Sequence, residues 1–416
     1  MEEVTSNALI TSDAIQFGIL AAILGLLFYT RSLGGKWDKF YTFVPLILLA
    51  YLIPSLLNTF GIISSEGSNL WQVAKDYFLP AALILLTLAI DFKAILGLGP
   101  KALIMFVTAT IGIVIGGPLA VMIIGSFSPE TVSADGADAA WRGLSTVAGS
   151  WIGGGANQTA MLELYGYPQE LFAAMVAVDI IIAEIWMIFL LYGAGNPEPI
   201  DRWLKADASA IERLKTKMEN YTAELERIPT TPDFMLLAGV TFGGVALSHL
   251  VAQLVGGWVG SMPGMEDSIL ANSFFWIVVT ATTFGLTASF TRLSHLEGAG
   301  ASKIGTVFIF LLVAIIGTKM DIMAIADEPL LFLLGGIWML IHVILLFIVA
   351  KLIRAPFFFV AVGSKANVGG AASAPVLAAA FHPALASVGV LLAVLGYALG
   401  TYGAILTAEM MRAVSF

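Results

Sequence analysis

The sequence predicts an all-α polytopic membrane protein of roughly 11–13 transmembrane helices. It also predicts two inverted repeats, each with a discontinuous helix crossing near mid-membrane. Three observations carry this. Of 416 residues, 58% are hydrophobic and 12% charged, about half the roughly 25% charged fraction of a soluble domain. Apolar runs of about 20 residues recur along the chain, each long enough for a bilayer core of roughly 30 Å. Two Gly-rich, amide-bearing motifs interrupt such runs, one in each half of the chain.

The runs number about twelve, near 13–30, 40–63, 77–97, 100–125, 142–165, 168–195, 232–260, 269–290, 301–319, 328–351, 356–381 and 384–410. The leading "MEEVTSNALITSD" is acidic and polar, unlike the basic n-region of a cleaved signal peptide. The absence of cysteine excludes disulfides, thiol catalysis and Cys-ligated metals. The net charge of −9 arises mostly in loops, and no basic stripe suggests nucleic acid as a partner. The segment from Gly195 to Asp233 alternates apolar and charged residues at helical spacing, the pattern of an amphipathic linker on a membrane surface. It divides residues 1–195, the first repeat, from 232–416, the second.

Loop charges suggest orientation. Arg31, Lys36, Lys39, Lys93, Lys101, the 196–231 linker, Arg292, Lys303, Lys351 and Arg354 mark cytoplasmic loops. The 126–140 loop, with Glu130, Asp135 and Asp138, reads as external, as do Ser261–Ser268 and Asp327/Glu328. Twelve crossings do not reconcile these assignments; the sum fails by one.

Repetition is visible in the chain. "LTLAIDFKAI", ending around Asp91, resembles "IIGTKMDIMAI" around Asp321. "GSWIGGGANQTA" (Gly149–Ala160) resembles "GSKANVGGAASAP" (Gly363–Pro375). Irregular backbone at membrane depth is tolerated only where protein buries it or it lines a cavity. Gly153, Gly154 and Gly155 allow the first helix to break, and Gly369 and Gly370 the second. Ser150, Asn157, Gln158 and Thr159 add polar groups at the first break; Ser364, Lys365, Asn367 and Ser373 do so at the second. Such clusters suit a hard cation or a polar solute. The pairs Gly116/Gly117, Gly243/Gly244 and Gly335/Gly336 read instead as helix-packing glycines.

Asp179 stands mid-span in "AAMVAVDIIIAEIWMIFLL", where a charge costs roughly 2.5–3.5 kcal/mol on insertion scales and therefore faces protein. It is the candidate ion-coupling carboxylate, binding Na+ or cycling a proton, and Lys365 is either its partner or the holder of an anionic substrate. Glu184, five positions on, is turned away from that face. His249 and His342 read as packing residues, His382 and Glu297 as loop residues, and Asp91, Asp321 and Glu409 as membrane-edge groups. No phosphate-binding GK[ST] ending, HExxH or GxSxG occurs, so the reading is not an enzyme.

"GSWIGGGANQTAM", followed by "VDIIIAEIW" and later by "GSKANVGGAASAPVLA", resembles the YjcL-like family of uncharacterised multi-pass membrane proteins. That family is similar, at superfamily level, to cation/proton antiporters and bile-acid or glutamate sodium symporters. The resemblance implies a core in which two discontinuous helices cross, beside a panel or dimerisation domain, and implies a homodimer. Asp179 stands alone where antiporters commonly show an adjacent acidic pair, and Lys365 departs from a plain symporter sodium site.

The expected function is a secondary active transporter in the cytoplasmic (inner) membrane of a bacterium. It would move a small polar or anionic solute with Na+ or H+ by an elevator-like mechanism; a cation/proton antiporter without organic substrate is the alternative. Core helices are expected over 77–195 and 301–410, scaffold helices over 13–63 and 232–290. No cofactor is implied; Na+ is the candidate coupling ion, with Asn157, Thr159 and Asp179 as candidate ligands.

Overall fold

The computed structural model describes residues 8–416 apart from 45, 65–67, 208–210, 212–213, 215–227, 264, 266–268, 321–328 and 383–384. Asp321, the Asp327/Glu328 turn and most of the expected amphipathic linker lie outside the described residues. The first half comprises α1 (Asp13–Ser32), α2 (Leu46–Thr59), α3 (Leu79–Leu88), α4 (Pro100–Gly125), α5 (Ala140–Tyr165), α6 (Phe172–Gly195) and the short α7 (Glu198–Leu204). The second half supplies α8 (Thr231–Val251), α9 (Ser273–Ser289), α10 (Ala301–Gly317), α11 (Pro329–Ile353), α12 (Phe357–Asn367), α13 (Gly370–Phe381) and α14 (Ala386–Val414). By length and composition, α1, α4, α6, α8 with its continuation to Gly260, α11 and α14 are each able to cross a membrane. The bent pair of α9 and Arg292–Ala299 adds a further span. The chain is an integral membrane protein.

Local chemistry sets several boundaries. Pro100 opens α4, where its missing N–H leaves no helical bond unmade. Thr230 and Asp233 form a capping box at the start of α8, with the Thr230 N–H donating to Asp233 Oδ2 at 2.8 Å. Gly116 and Gly117 receive Trp338 of α11 against α4, where Trp338 Nε1 donates to Ile113 O at 2.8 Å.

The two interrupted segments correct one expectation: neither is a helix that crosses the membrane. Residues 142 and 165 would lie about 35 Å apart on a straight helix, yet the Arg142 guanidinium donates to the Tyr165 carbonyl. The Trp141 and Tyr165 rings stand 5.3 Å apart. α5 is therefore a helical hairpin, with its turn at Gly154 (φ 72°, ψ −172°), a backbone conformation open in practice only to glycine. The second segment folds back in the same way. Phe357 at the start of α12 and Phe381 at the end of α13 have ring centroids 6.0 Å apart, and the turn falls on Gly369 (φ 112°) and Gly370 (φ 56°). A hairpin and a crossing helix have the same length and composition; only the contact between their ends separates them.

The hairpins open toward opposite ends of the bundle. The mouth of α5 lies with the C-terminal end of α14: Tyr165 Oη donates to Glu409 Oε1 there, and the Ala134 N–H donates to Phe416 O at 2.8 Å. The mouth of α12/α13 lies with the linker. There the Phe357 N–H donates to Asp201 Oδ1 of α7 at 2.7 Å, and Lys101 Nζ donates to Arg354 O at 3.0 Å. Burial holds the Asp201 carboxyl above its usual range against the opposing pull of that Phe357 N–H. Basic Lys101 and Arg354 thus fall at the linker end, and the acidic 126–140 loop, through Ala134, at the other. The hairpin at α5 removes from the count of twelve the one crossing by which the charge arithmetic fails.

The chain has no native cysteine, so single reporters test this directly. Cysteines replacing Ser133 and Gln169, on either side of α5, are expected to react with an impermeant maleimide from the same side of the membrane. A cysteine replacing Lys205 should react from the other. Labelling of Ser133 and Gln169 positions from opposite sides would mean that α5 crosses.

Packing separates two groups of helices. α4, α5, α6, α11, α12, α13 and α14 pack on one another, with α14 laid along the α5 hairpin. α1, α2, α3, α8, α9 and α10 form the second group. α3 and α10, expected among the core segments, pack against α2, α8 and α9, the expected scaffold.

Candidate functional site

Both hairpin tips meet α14 at one turn. A Cβ on Gly396 would lie 2.8 Å from Ile152 O of α5 and 3.4 Å from Ala366 O of α12. Each tip carries a buried polar network, and the two have different chemistry.

At the first tip, Asp179 of α6 is almost fully buried. Its Oδ2 accepts from Ser150 Oγ at 2.6 Å and from Gln158 Nε2 at 3.0 Å. The Gln158 Oε1 in turn accepts from Tyr51 Oη of α2 at 3.2 Å. Asn157 takes another direction. Its Nδ2 donates to Gly153 O and Tyr397 O, and its Oδ1 accepts from Thr401 Oγ1 at 2.6 Å. Thr401 also lies 3.0 Å from Thr282 Oγ1 of α9. Thr159 donates to Gly155 O of its own helix. The candidate Na+ ligands Asn157, Thr159 and Asp179 are therefore not brought together. Successive helix positions point about 100° apart, so residues 157, 158 and 159 face different neighbours, and only Gln158 faces Asp179.

At the second tip, Ser364, Lys365 and Asn367 are fully buried. Ser364 Oγ accepts from Trp186 Nε1 at 2.8 Å and lies 2.8 Å from His342 Nε2. His342 Nδ1 faces the Ala109 carbonyl at 3.0 Å, which only a donor satisfies. Nε2 is thereby left to accept the Ser364 proton, the tautomer that pairs every group. Asn367 Oδ1 accepts from Thr110 Oγ1 of α4 at 2.8 Å, and its amide donates to Gly363 O and Phe106 O. Lys365 Nζ donates to Ala183 O at 3.0 Å and lies 3.7 Å from Glu184 Oε1. The expected pairing of Lys365 with Asp179 is thus replaced by one with Glu184. Glu184 does leave the Asp179 face, and that rotation is what aims it at α12. Ser373 Oγ is buried and has no hydrogen-bond partner among the described residues.

Other sequence candidates have structural duties. Asp91 caps a short helix by accepting from the Ala94 N–H at 2.8 Å. Glu297 accepts from Ser302 N and Oγ at the start of α10. His249 Nε2 lies 2.9 Å from Asp76 O. Tyr51, Thr110, His342, Trp186 and Thr401 were missed as network members, because one threonine, histidine or aromatic in an apolar run looks the same whether it packs or bonds. Beside the mouth of α5, a cavity of about 290 Å³ is lined by Glu130, Asp135, Asp138, Tyr167, Met175 and Leu331, among others. The Ser128 hydroxyl donates to Glu130 at 2.5 Å and holds its carboxyl below the usual range.

Comparison with known proteins agrees with the membrane architecture. The chain is 23% identical over 354 residues to the uncharacterized membrane protein YjcL of Bacillus subtilis (strain 168), covering 82% of this chain and 83% of that protein. A family model described as "Protein of unknown function (DUF819)" matches residues 18–414. The chain therefore belongs to the DUF819 family of membrane proteins.

Proposed function

We propose that this protein is a secondary active transporter for a small polar or anionic solute, coupled to Na+ or H+. The group carrying both hairpins would slide, elevator-like, against the group of α1–α3 and α8–α10. One observation carries this reading: two buried polar hairpin tips meet at one turn of α14, while their mouths open toward opposite ends of the bundle. In the first half the order is helix, hairpin, helix over α4–α6. Over α11–α14 the same order runs in the opposite direction. That is the pattern of inverted repeats that alternate access to a central site. Five crossings and one hairpin per half would start the second half on the opposite side from the first, as inversion requires.

On the positive-inside rule the linker end is cytoplasmic, in a bacterial inner membrane. The acidic cavity beside the α5 mouth would then collect cations from outside. Tyr51–Gln158 and Thr282–Thr401 are polar ties between the two helix groups, and a sliding movement has to release them. A homodimer follows from the family resemblance. The Lys365–Glu184 pair beside Asp179 favours a second reading, a cation/proton antiporter without organic substrate, in which these groups exchange a proton for the cation.

The test is apparent thermal stability of the purified protein in NaCl against choline chloride at equal ionic strength, repeated across pH. A cation that binds only the folded state raises stability with its concentration. A sodium-specific rise that is lost in Asp179→Asn is the expected result for sodium coupling. A sodium-independent response that changes with pH would favour the proton. No response to either would overturn the coupled-carrier reading.

A further inference from the structure

We propose that the second hairpin tip binds the carboxylate of a small organic acid, with Lys365 and Ser373, which approach each other over the bare backbone of Gly369, as its donors. This rests on the carrier reading above and names the class of its solute.

Three observations converge on the spot. Lys365 is a fully buried ammonium with three donors. One is given to Ala183 O, and Glu184 Oε1 stands 3.7 Å away, beyond hydrogen-bond length. Ser373 Oγ, one turn into α13, is a buried hydroxyl without a partner among the described residues. Leaving such a group unpaired is costly, so it calls for an account. Both point at Gly369. A Cβ built there would lie 2.2 Å from Ser373 Oγ and 3.3 Å from Lys365 Nζ. Any side chain at 369 would therefore clash with the Ser373 hydroxyl and crowd the Lys365 stem, whose Cε would lie 3.0 Å away, so the bare glycine is what lets both donors approach one spot, and the left-handed φ of 112° independently selects glycine there.

The N-terminus of α13 begins at the next residue, and its first N–H groups have no partner within the helix. Its dipole favours an anion at this point. The loose Glu184 contact identifies the kind of anion, because it already sets a carboxylate near the ammonium. Glu184 is partly exposed, with a side-chain exposure of 39%, so it can swing away while Lys365 stays buried. In this arrangement Glu184 neutralises the ammonium until a solute carboxylate replaces it. With Asp179 and Glu184 close by, a single cation suits a carboxylate better than a multiply charged phosphate.

The experiment titrates the purified full-length protein with potassium acetate and, separately, potassium succinate, against potassium chloride at constant ionic strength. Apparent melting temperature is the readout. At least one carboxylate should stabilise the wild-type protein saturably. Its apparent affinity should fall tenfold or more in Lys365→Gln and in Ser373→Ala, and rise several-fold in Glu184→Gln, which removes the internal competitor. Ser373→Ala strands no charge and keeps the test open if Lys365→Gln does not fold. Failure of both carboxylates to stabilise the wild type, or an unchanged response in Ser373→Ala, overturns the proposal. The sodium series separates the two readings. A sodium response that survives without any carboxylate response removes the anion site and leaves the carrier. A carboxylate response through Lys365 without any cation or pH response removes the coupling and leaves the site.

Discussion

Asp179→Ala is expected to cost the folded protein about 3 kcal/mol, whereas Asp179→Asn costs less than about 1 kcal/mol. The difference follows from which atoms are used. Ser150 Oγ and Gln158 Nε2 both donate to the same oxygen, Oδ2. An asparagine with its carbonyl oxygen in that position keeps both bonds and removes only the charge. An alanine leaves a half-buried hydroxyl and a buried amide without an acceptor, and Gln158 is the link to Tyr51 in the other helix group. The measurement is apparent thermal stability of both variants in detergent, beside the wild type. Equal losses would mean that the charge itself, not the two bonds, holds the first tip. The pair also qualifies Asp179→Asn as a probe of ion coupling, because it keeps the network while deleting the carboxylate charge.

Gly153→Ala or Gly400→Ala should each destabilise the protein by about 3 kcal/mol, within the range for overpacking a filled interior. The Cα atoms of the two glycines come together where α14 crosses the α5 hairpin. A Cβ on Gly153 would lie 2.6 Å from Gly400 Cα, and one on Gly400 would lie 2.5 Å from Gly153 Cα. Both would also meet Asn157 Nδ2, at 2.2 Å and 2.5 Å. Backbone has to move to relieve either contact, and the Thr401–Asn157 bond is lost with it. Because one displacement relieves both clashes, the double variant should cost clearly less than the two singles added. Gly155→Ala is the control. Its new methyl meets only Ile309 Cγ2, at 3.3 Å, and the loss should stay below about 1 kcal/mol. A Gly155→Ala loss as large as that of Gly153→Ala would mean that the tip is sensitive to any added bulk.

Much of the architecture was legible in the chain. Hydropathy placed the apolar segments, because a helix in lipid must be apolar along its whole length, and that requirement is local. The breaks were legible for a similar reason. Three successive glycines, or two beside an asparagine, are poor helix formers wherever they stand, and the backbone does leave the helix at Gly154 and at Gly369–Gly370. The individual polar candidates were legible too, since Asp179 or Lys365 in hydrocarbon demands a protein environment.

Pairing was not legible. Helix geometry turns Glu184 away from Asp179, and nothing near it in sequence indicates that the hairpin tip bearing Lys365 lies on that other side. Nor is there a local signal that Asn157 turns to Thr401, 244 positions away.

The sequence by itself therefore determined membrane residence, the helical class and the two break points, because hydrophobicity and backbone freedom are properties of short segments. Tertiary structure alone decided that the broken segments turn back rather than cross, that Glu184 rather than Asp179 faces Lys365, and that both tips share one turn of α14. Those outcomes depend on which distant surfaces meet, and one residue composition is compatible with either.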